Sequence, residues 1–256
     1  IGYKYPNNNK VVSENISAIL YSSELTCLIG PNGAGKSTLI KTIAGMQTPL
    51  SGSVWLGKEC VHNLNALDLA KQVSVVLTDR VDTGYLSAYE LVSLGRHPYT
   101  NWNGKLTSHD EGVINWAFSV TKSQHLANRT ASELSDGERQ RIMIARALAQ
   151  EPTLMILDEP TAYLDLPNRV EILSLLKKLA NNEHRTILLS THDLDIALKI
   201  ADKIWLLPAN STLTTGIPEE LILNGSLQSA FQTDDIKFDN TTGAFTIQRN
   251  FTNKVH

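Results

Sequence analysis

Cysteine is scarce: Cys27 and Cys60 are the only two in 256 residues. That number cannot build a disulfide framework, and it points to a reducing compartment. Long hydrophobic runs are missing as well. No stretch approaches the roughly 18 apolar residues that a membrane-spanning helix needs. Neither sign of charge dominates, with 23 Lys and Arg against 26 Asp and Glu for a net charge of −3. The broad basic footprint of a nucleic-acid binder is therefore absent. The four tryptophans are scattered and form no array on which bases stack, so no nucleic-acid partner is expected. No repeat or low-complexity tract occurs. The chain begins at Ile1 without a methionine, and what precedes it, a signal included, stays open.

What is present suits a folded domain, with 42% hydrophobic residues to form a core. The runs LTCLIG (25–30), VSVVL (73–77), LMILD (154–158), TILLS (186–190) and KIWLL (203–207) are short, apolar and β-rich. They read as buried strands. Helix-length segments separate several of them, including Lys36 to Met46 and Leu166 to Ala180. Strand–helix alternation predicts a mainly parallel sheet covered on both faces. From about Arg80 to Gln150 no strand-like run appears, while SAYELVSLG (87–95) and DEGVINWAFSV (110–120) carry helical spacing. A helical lobe set into an α/β core is expected. The tail 235–247 reads as a hairpin around Asn240 to Gly243. The domain reading is thus a core of residues 1–79 and 151–230, a helical lobe of 80–150 and a terminal hairpin of 231–256. Cys27, inside a strand, is expected to be buried.

Chemistry concentrates at three strand ends. GPNGAGKST (30–38) fits G-x-x-x-x-G-K-[ST] and follows a predicted strand directly. The backbone N–H groups of such a loop, around Gly30, Asn32, Gly33 and Gly35, cradle phosphates, and the following helix adds its positive end. Lys36 is expected at the outer phosphates, Ser37 at Mg²⁺ and Thr38 at the innermost phosphate. LMILDEP ends a strand in two carboxylates, where an open sheet places its ligands. Asp158 is expected to hold Mg²⁺ through water, and Glu159 to act as general base toward the attacking water. TILLSTHD brings His192 to the end of a third strand, within reach of a γ-phosphate. The other six histidines are read as surface residues. LSDGERQR (134–141) has the make-up of a second phosphate-facing helix start, with Ser135 and Asp136 as cap types, Gly137 for close approach and Glu138 beginning the helix.

Taken together, these motifs resemble the ATP-binding cassette family over nearly the whole chain. LSDGE resembles that family's signature, usually written LSGGQ, with Asp136 and Glu138 as departures. The resemblance implies a P-loop NTPase core with an antiparallel β portion near the N-terminus and ATP as the substrate. It also implies a head-to-tail homodimer that sandwiches nucleotide, with Ser135 and Gly137 at the γ-phosphate of the other subunit. TAYLD (161–165) resembles the D-loop and puts Asp165 at the dimer seam. Tyr3 resembles the aromatic that stacks on adenine, with Tyr5 as the alternative. Asp79 stands where the family has a glutamine that touches Mg²⁺ and the attacking water. It is expected either at the metal or as a helix cap.

LVSLGRHPY (91–99) and TAYLDLPNRVEIL (161–173) are similar to ATPase subunits of importers for iron–siderophore complexes, haem and cobalamin. This implies two membrane-spanning permease subunits, indirectly a substrate-binding protein, and a peripheral place on the cytoplasmic face of the membrane. The stretch from Asp79 to Tyr99 is expected to face the membrane subunits, with Arg96 exposed on it. A soluble cassette ATPase is the alternative. Repair members carry long coiled coils before the signature, whereas Lys36 and Leu134 are only about 98 residues apart. Ribosomal members usually carry two cassettes per chain.

Overall fold

The computed structural model describes residues 2–4, 11–13, 15–78, 84–209, 212–231, 236–239 and 244–247, the strands at the two ends as backbone only. A short antiparallel pair comes first, β1 (Tyr3–Lys4) with β2 (Val11–Ser13). Then follow β3 (Leu25–Ile29), α1 (Lys36–Ile43) and a second antiparallel pair, β4 (Trp55–Leu56) with β5 (Glu59–Cys60). Next come α2 (Ala66–Gln72), β6 (Val73–Val76), α3 (Ala88–Ser93), α4 (Ser108–Val120) and α5 (Asp136–Ala149). The core resumes with β7 (Leu154–Asp158), α6 (Leu166–Asn182), β8 (Thr186–Ser190), α7 (Leu194–Ile200), β9 (Lys203–Leu206) and β10 (Thr214–Gly216). Two short helices, α8 (Pro218–Leu223) and α9 (Ser226–Phe231), lead to an antiparallel pair of β11 (Ile236–Asp239) and β12 (Ala244–Ile247).

The main sheet has the order β10-β9-β3-β8-β7-β6. Every pairing is parallel except that of the edge strand β10 with β9. The mainly parallel sheet expected from the sequence is observed. Every residue of β3 and β7 is buried, as strands covered on both faces require. Alternation divides their side chains between two cores. Leu28, Ile156, Leu188 and Trp205 pack with Leu39, Ile40 and Ile43 of α1. Cys27, Leu157, Leu189 and Leu206 pack on the opposite face with residues of α5, α6 and α7. Cys27 is fully buried, as expected, and desolvation pushes its thiol pKa up to about 12.

Between β6 and β7 the described chain carries no ladder strand, only an isolated bridge from Ser87 to Thr130. Ser87 and Thr107 begin α3 and α4 with capping boxes closed by Glu90 and Asp110, which satisfies first-turn N–H groups in both helices. Among the described residues no helix is long and apolar enough to cross a membrane.

Two expectations need correction. Arg96 is not exposed; it is 1% accessible. Its Nε donates to Asp110 Oδ1 at 2.8 Å, and its Nη1 donates to Ala149 O at 2.8 Å and Glu151 Oε2 at 2.7 Å. The guanidinium also lies 4.0 Å from the centre of the Tyr99 ring, whose hydroxyl donates to Gln150 O at 3.0 Å. A Cβ at neighbouring Gly95 would meet Arg146 O at 2.3 Å, so only glycine permits this approach. Gly95 and Arg96 of LGRHPY thus form a buried clamp joining the start of α4 to the end of α5. Sequence spacing could not show this, because both of its carboxylate partners are distant in the chain. His62 is the second correction. It is half-buried, its Nε2 has no hydrogen-bond partner among the described residues, and desolvation lowers its pKa.

Candidate nucleotide site

The loop after β3 is shaped by close approach. A Cβ at Gly30 would lie 2.1 Å from Leu207 O, so glycine lets the end of β3 run against the end of β9. Gly35 takes a left-handed conformation (φ 96°) and starts α1, which leaves the first N–H groups of that helix open to an anion. Asn32, Gly33 and Ser37 are exposed, whereas Lys36 and Thr38 are buried. Lys36 Nζ donates to Gly30 O at 2.8 Å and Pro31 O at 3.3 Å, folding back across its own loop. Desolvation lowers the Lys36 pKa, and the nearby charges of Glu159 and Asp158 oppose that shift. The ammonium and both carboxylates therefore share one field.

Asp158 closes β7 and is buried. Ser190, at the end of the adjacent β8, donates from Oγ to Asp158 Oδ1 at 2.5 Å. The same hydroxyl accepts from Glu159 N at 2.9 Å, and Ser190 O accepts from that N–H as well. Thr78 Oγ1 donates to Asp158 O at 2.7 Å from the other side. Glu159 has φ 47°, a sparsely populated conformation for a non-glycine residue. The strand thereby turns between two successive carboxylates. Glu159 Oε2 and His192 Nδ1 lie 3.4 Å apart, both accessible to solvent. Ser190 and Thr78 were not singled out from the sequence. The available signal was a hydroxyl at the end of each strand flanking LMILDEP. Ser190→Ala is expected to cost about 1.5–3 kcal/mol of stability, the range for a hydrogen bond to a charged group, and urea denaturation measures it.

The signature segment lies on the other face of the sheet. Ser135 is the N-cap of α5, and its capping box with Glu138 is complete. A Cβ at Gly137 would meet Asn168 Oδ1 at 2.9 Å, so the first turn of α5 presses on the first turn of α6. Asn168 is itself held by Asp165, the N-cap of α6, which accepts from Asn168 N at 3.2 Å and Nδ2 at 2.7 Å. Arg169 extends the connection. It donates to Leu164 O at 3.3 Å and to Asp193 Oδ2 at 2.6 Å, next to His192. Lys36, Asp158, Glu159 and His192 thus converge at one end of the sheet. Ser135, Gly137 and Asp165 form a second group around the starts of α5 and α6. The side chains of Tyr3 and Tyr5, and all of Asp79, lie outside the described residues, as do His256 and the turn 240–243.

An α/β sheet with a glycine-rich loop feeding a helix, and a lysine facing a strand-end carboxylate pair, defines a P-loop nucleotide hydrolase. The family model described as ABC transporter matches residues 13–162, and the chain belongs to this ATP-binding, ATP-hydrolysing family. It is 41% identical to an uncharacterized ABC transporter ATP-binding protein of Methanocaldococcus jannaschii, over 98% of this chain and 85% of that protein. It is 36% identical to the iron(3+)-hydroxamate import ATP-binding protein FhuC of Bacillus subtilis, over 91% of this chain and 86% of that protein. Among solved structures, it is similar to a dimeric post-hydrolysis state of the ATP-binding cassette MJ0796 bound to ADP and Pi. There the TM-score is 0.70 and the identity 25%, over 85% of this chain and 95% of that one.

Proposed function

We propose that this chain powers import of a metal chelate, an iron–siderophore complex in the first instance, as the ATPase subunit of a membrane transporter. One observation carries the catalytic part: buried Lys36 shares a field with Asp158 and Glu159, and Glu159 meets His192. The cargo class is supported by the resemblance to FhuC. Cargo itself would be selected by the permease and substrate-binding partners.

In this reading Gly30, Asn32, Gly33 and Gly35 present backbone N–H groups to the phosphates, and Thr38 adds its hydroxyl. Lys36 exchanges two carbonyl oxygens of its own loop for phosphate oxygens. Glu159 accepts a proton from the attacking water, and His192 orients that water and the terminal phosphate. The hydroxyl of Ser37 and the carboxylate of Asp158 are hard oxygen donors suited to Mg²⁺, and Asp79 is the third candidate. Bound there, Mg²⁺ would neutralise charge on the β- and γ-phosphates. Tyr3 or Tyr5 stacks on adenine.

The second group of residues completes the site across a homodimer. The helices α1 and α5 pack on opposite faces of one sheet, and in this reading one chain does not bring Lys36 and Ser135 to the same phosphate. A head-to-tail pair does, with Asp165 at its seam. Residues 1–79 with 151–230 form the nucleotide-binding core, 80–150 the helical lobe against two permease subunits, and 231–256 a terminal unit. The dimer in the similar cassette structure supports the pairing, and the membrane subunits would hold the chain at the cytoplasmic face.

The decisive experiment expresses the chain with the permease and binding proteins encoded beside it and measures uptake of ferric hydroxamate in vesicles. Uptake is expected to require ATP and to vanish with Lys36→Ala. ATP turnover with no association to any permease would replace the transport reading by that of a soluble ATPase.

A further inference from the structure

Glu138 raises a problem that the proposed sandwich does not solve by itself. It places a carboxylate one turn into α5, beside the serine assigned to the partner's γ-phosphate, where the family pattern has an amide. Ser135 Oγ donates to Glu138 Oε2 at 2.8 Å, and Ser135 N donates to the same oxygen at 2.9 Å. Both bonds hold the Glu138 pKa below the usual carboxylate range, with Arg129 and His125 adding to the effect. The group is therefore an anion at neutral pH, and it occupies the proton that Ser135 would offer to phosphate.

Arg129 answers that charge. Its Nη1 donates to Glu138 Oε1 at 3.0 Å, the oxygen that Ser135 does not use, while Nη2 donates to Glu133 O at 2.8 Å. One guanidinium therefore spans the turn leading into α5. The backbone around Arg129 is fixed in turn. Arg129 O accepts from Ala88 N at 2.8 Å, Ala131 N donates to Leu86 O at 2.8 Å, and Tyr89 N donates to Ala127 O at 2.9 Å. The arginine is thus carried on a segment tied to the first turn of α3. With side-chain exposures of 44% and 30%, the Arg129–Glu138 pair is a surface ion pair. Such pairs add little to stability, so fold maintenance is a weak reason for this geometry.

We propose that Arg129 is a positioning residue for the signature: it neutralises Glu138 so that a partner's γ-phosphate can approach Ser135, and it links that readiness to the placement of α3. This rests on the reading of Ser135 as a phosphate contact. Without the guanidinium, an uncompensated carboxylate would face a multiply charged phosphate. Across about 6 Å of water-like medium, that repulsion shifts an equilibrium by roughly three- to tenfold.

The test is ATP turnover of the purified chain as a function of ATP concentration, at low and high salt. Arg129→Gln, two atoms shorter, loses both the charge facing Glu138 and the bond to Glu133 O, and is expected to raise half-saturating ATP by about three- to tenfold at low salt. The difference should shrink at high salt. Arg129→Lys should stay near wild type. Combining Arg129→Gln with Glu138→Gln should restore wild-type saturation, because the charge to be neutralised is gone. Wild-type behaviour of Arg129→Gln would overturn the proposal. So would a defect that persists in the double variant, since Arg129 would then act only as a tie to Glu133 O. Lys36→Ala, run alongside, separates the two readings. If it abolishes turnover while Arg129→Gln is silent, only the Arg129 assignment falls; if turnover survives it, the ATPase site itself is wrong.

Discussion

With Glu159→Gln, ATP binding should persist while turnover falls by roughly 10²- to 10⁴-fold, the usual contribution of a positioned general base. The amide has the size of the carboxylate and can remain beside His192, but it cannot take a proton from water. Its backbone N–H should still be held by Ser190, since that bond does not involve the side chain. The consequence for assembly is equally large. If nucleotide is sandwiched between Lys36 of one subunit and Ser135 of the other, blocked hydrolysis traps the closed pair. Analytical ultracentrifugation of this variant with ATP should show a dimer, and wild type with ADP a monomer. A monomer under every nucleotide condition, at concentrations where ATP is bound, would refute the sandwich.

Arg96→Glu should fail in a different way, through folding. The native guanidinium is buried against Asp110 and Glu151. Reversal puts a third carboxylate among them and removes the donor to Ala149 O. Removing one partner from a buried charge cluster costs about 3–5 kcal/mol, and a reversal costs at least that. For a domain of this size, about 2–4 °C of melting temperature is lost per kcal/mol, so the shift should be on the order of 10 °C or more. Trp102→Ala, at a fully exposed side chain, is the control and should leave the melting curve unchanged. Equal melting temperatures for Arg96→Glu and wild type would contradict the buried clamp.

Acid should probe the same clamp. The Asp110 pKa is lowered from 3.8 to about 2, first by the side-chain bond from Thr107 and then by Arg96. The group is more acidic folded than unfolded, so its stabilisation is complete above 3.8 and is lost as pH falls through about 2. Arg96→Met should therefore move the acid-unfolding limb toward higher pH only in part, because Thr107 remains.

Several features were legible because they are local in the chain. A strand buried on both faces must be apolar throughout, so β3, β7 and β8 are visible as runs. A phosphate loop must place glycines where a backbone turns or approaches, so residues 30–38 announce their chemistry before any fold is known. The N-cap Ser135 is equally local, since a capping side chain reaches only three residues ahead. The sequence by itself thus determined the family and its nucleotide chemistry.

What it could not determine were partners brought together from far apart. Ser190 reaches Asp158 and Glu159 only because parallel pairing sets the ends of β7 and β8 side by side. Arg96 is expected to be exposed from sequence because the family resemblance turns the stretch from Asp79 to Tyr99 toward membrane subunits. Only the packing of α4 against α5 brought Asp110, the end of α5 and Glu151 around it and made burial tolerable. The separation of α1 from α5 was likewise a tertiary decision. Alternating strand side chains build two cores, one on each face, so α1 came to pack on one face of the sheet and α5 on the other.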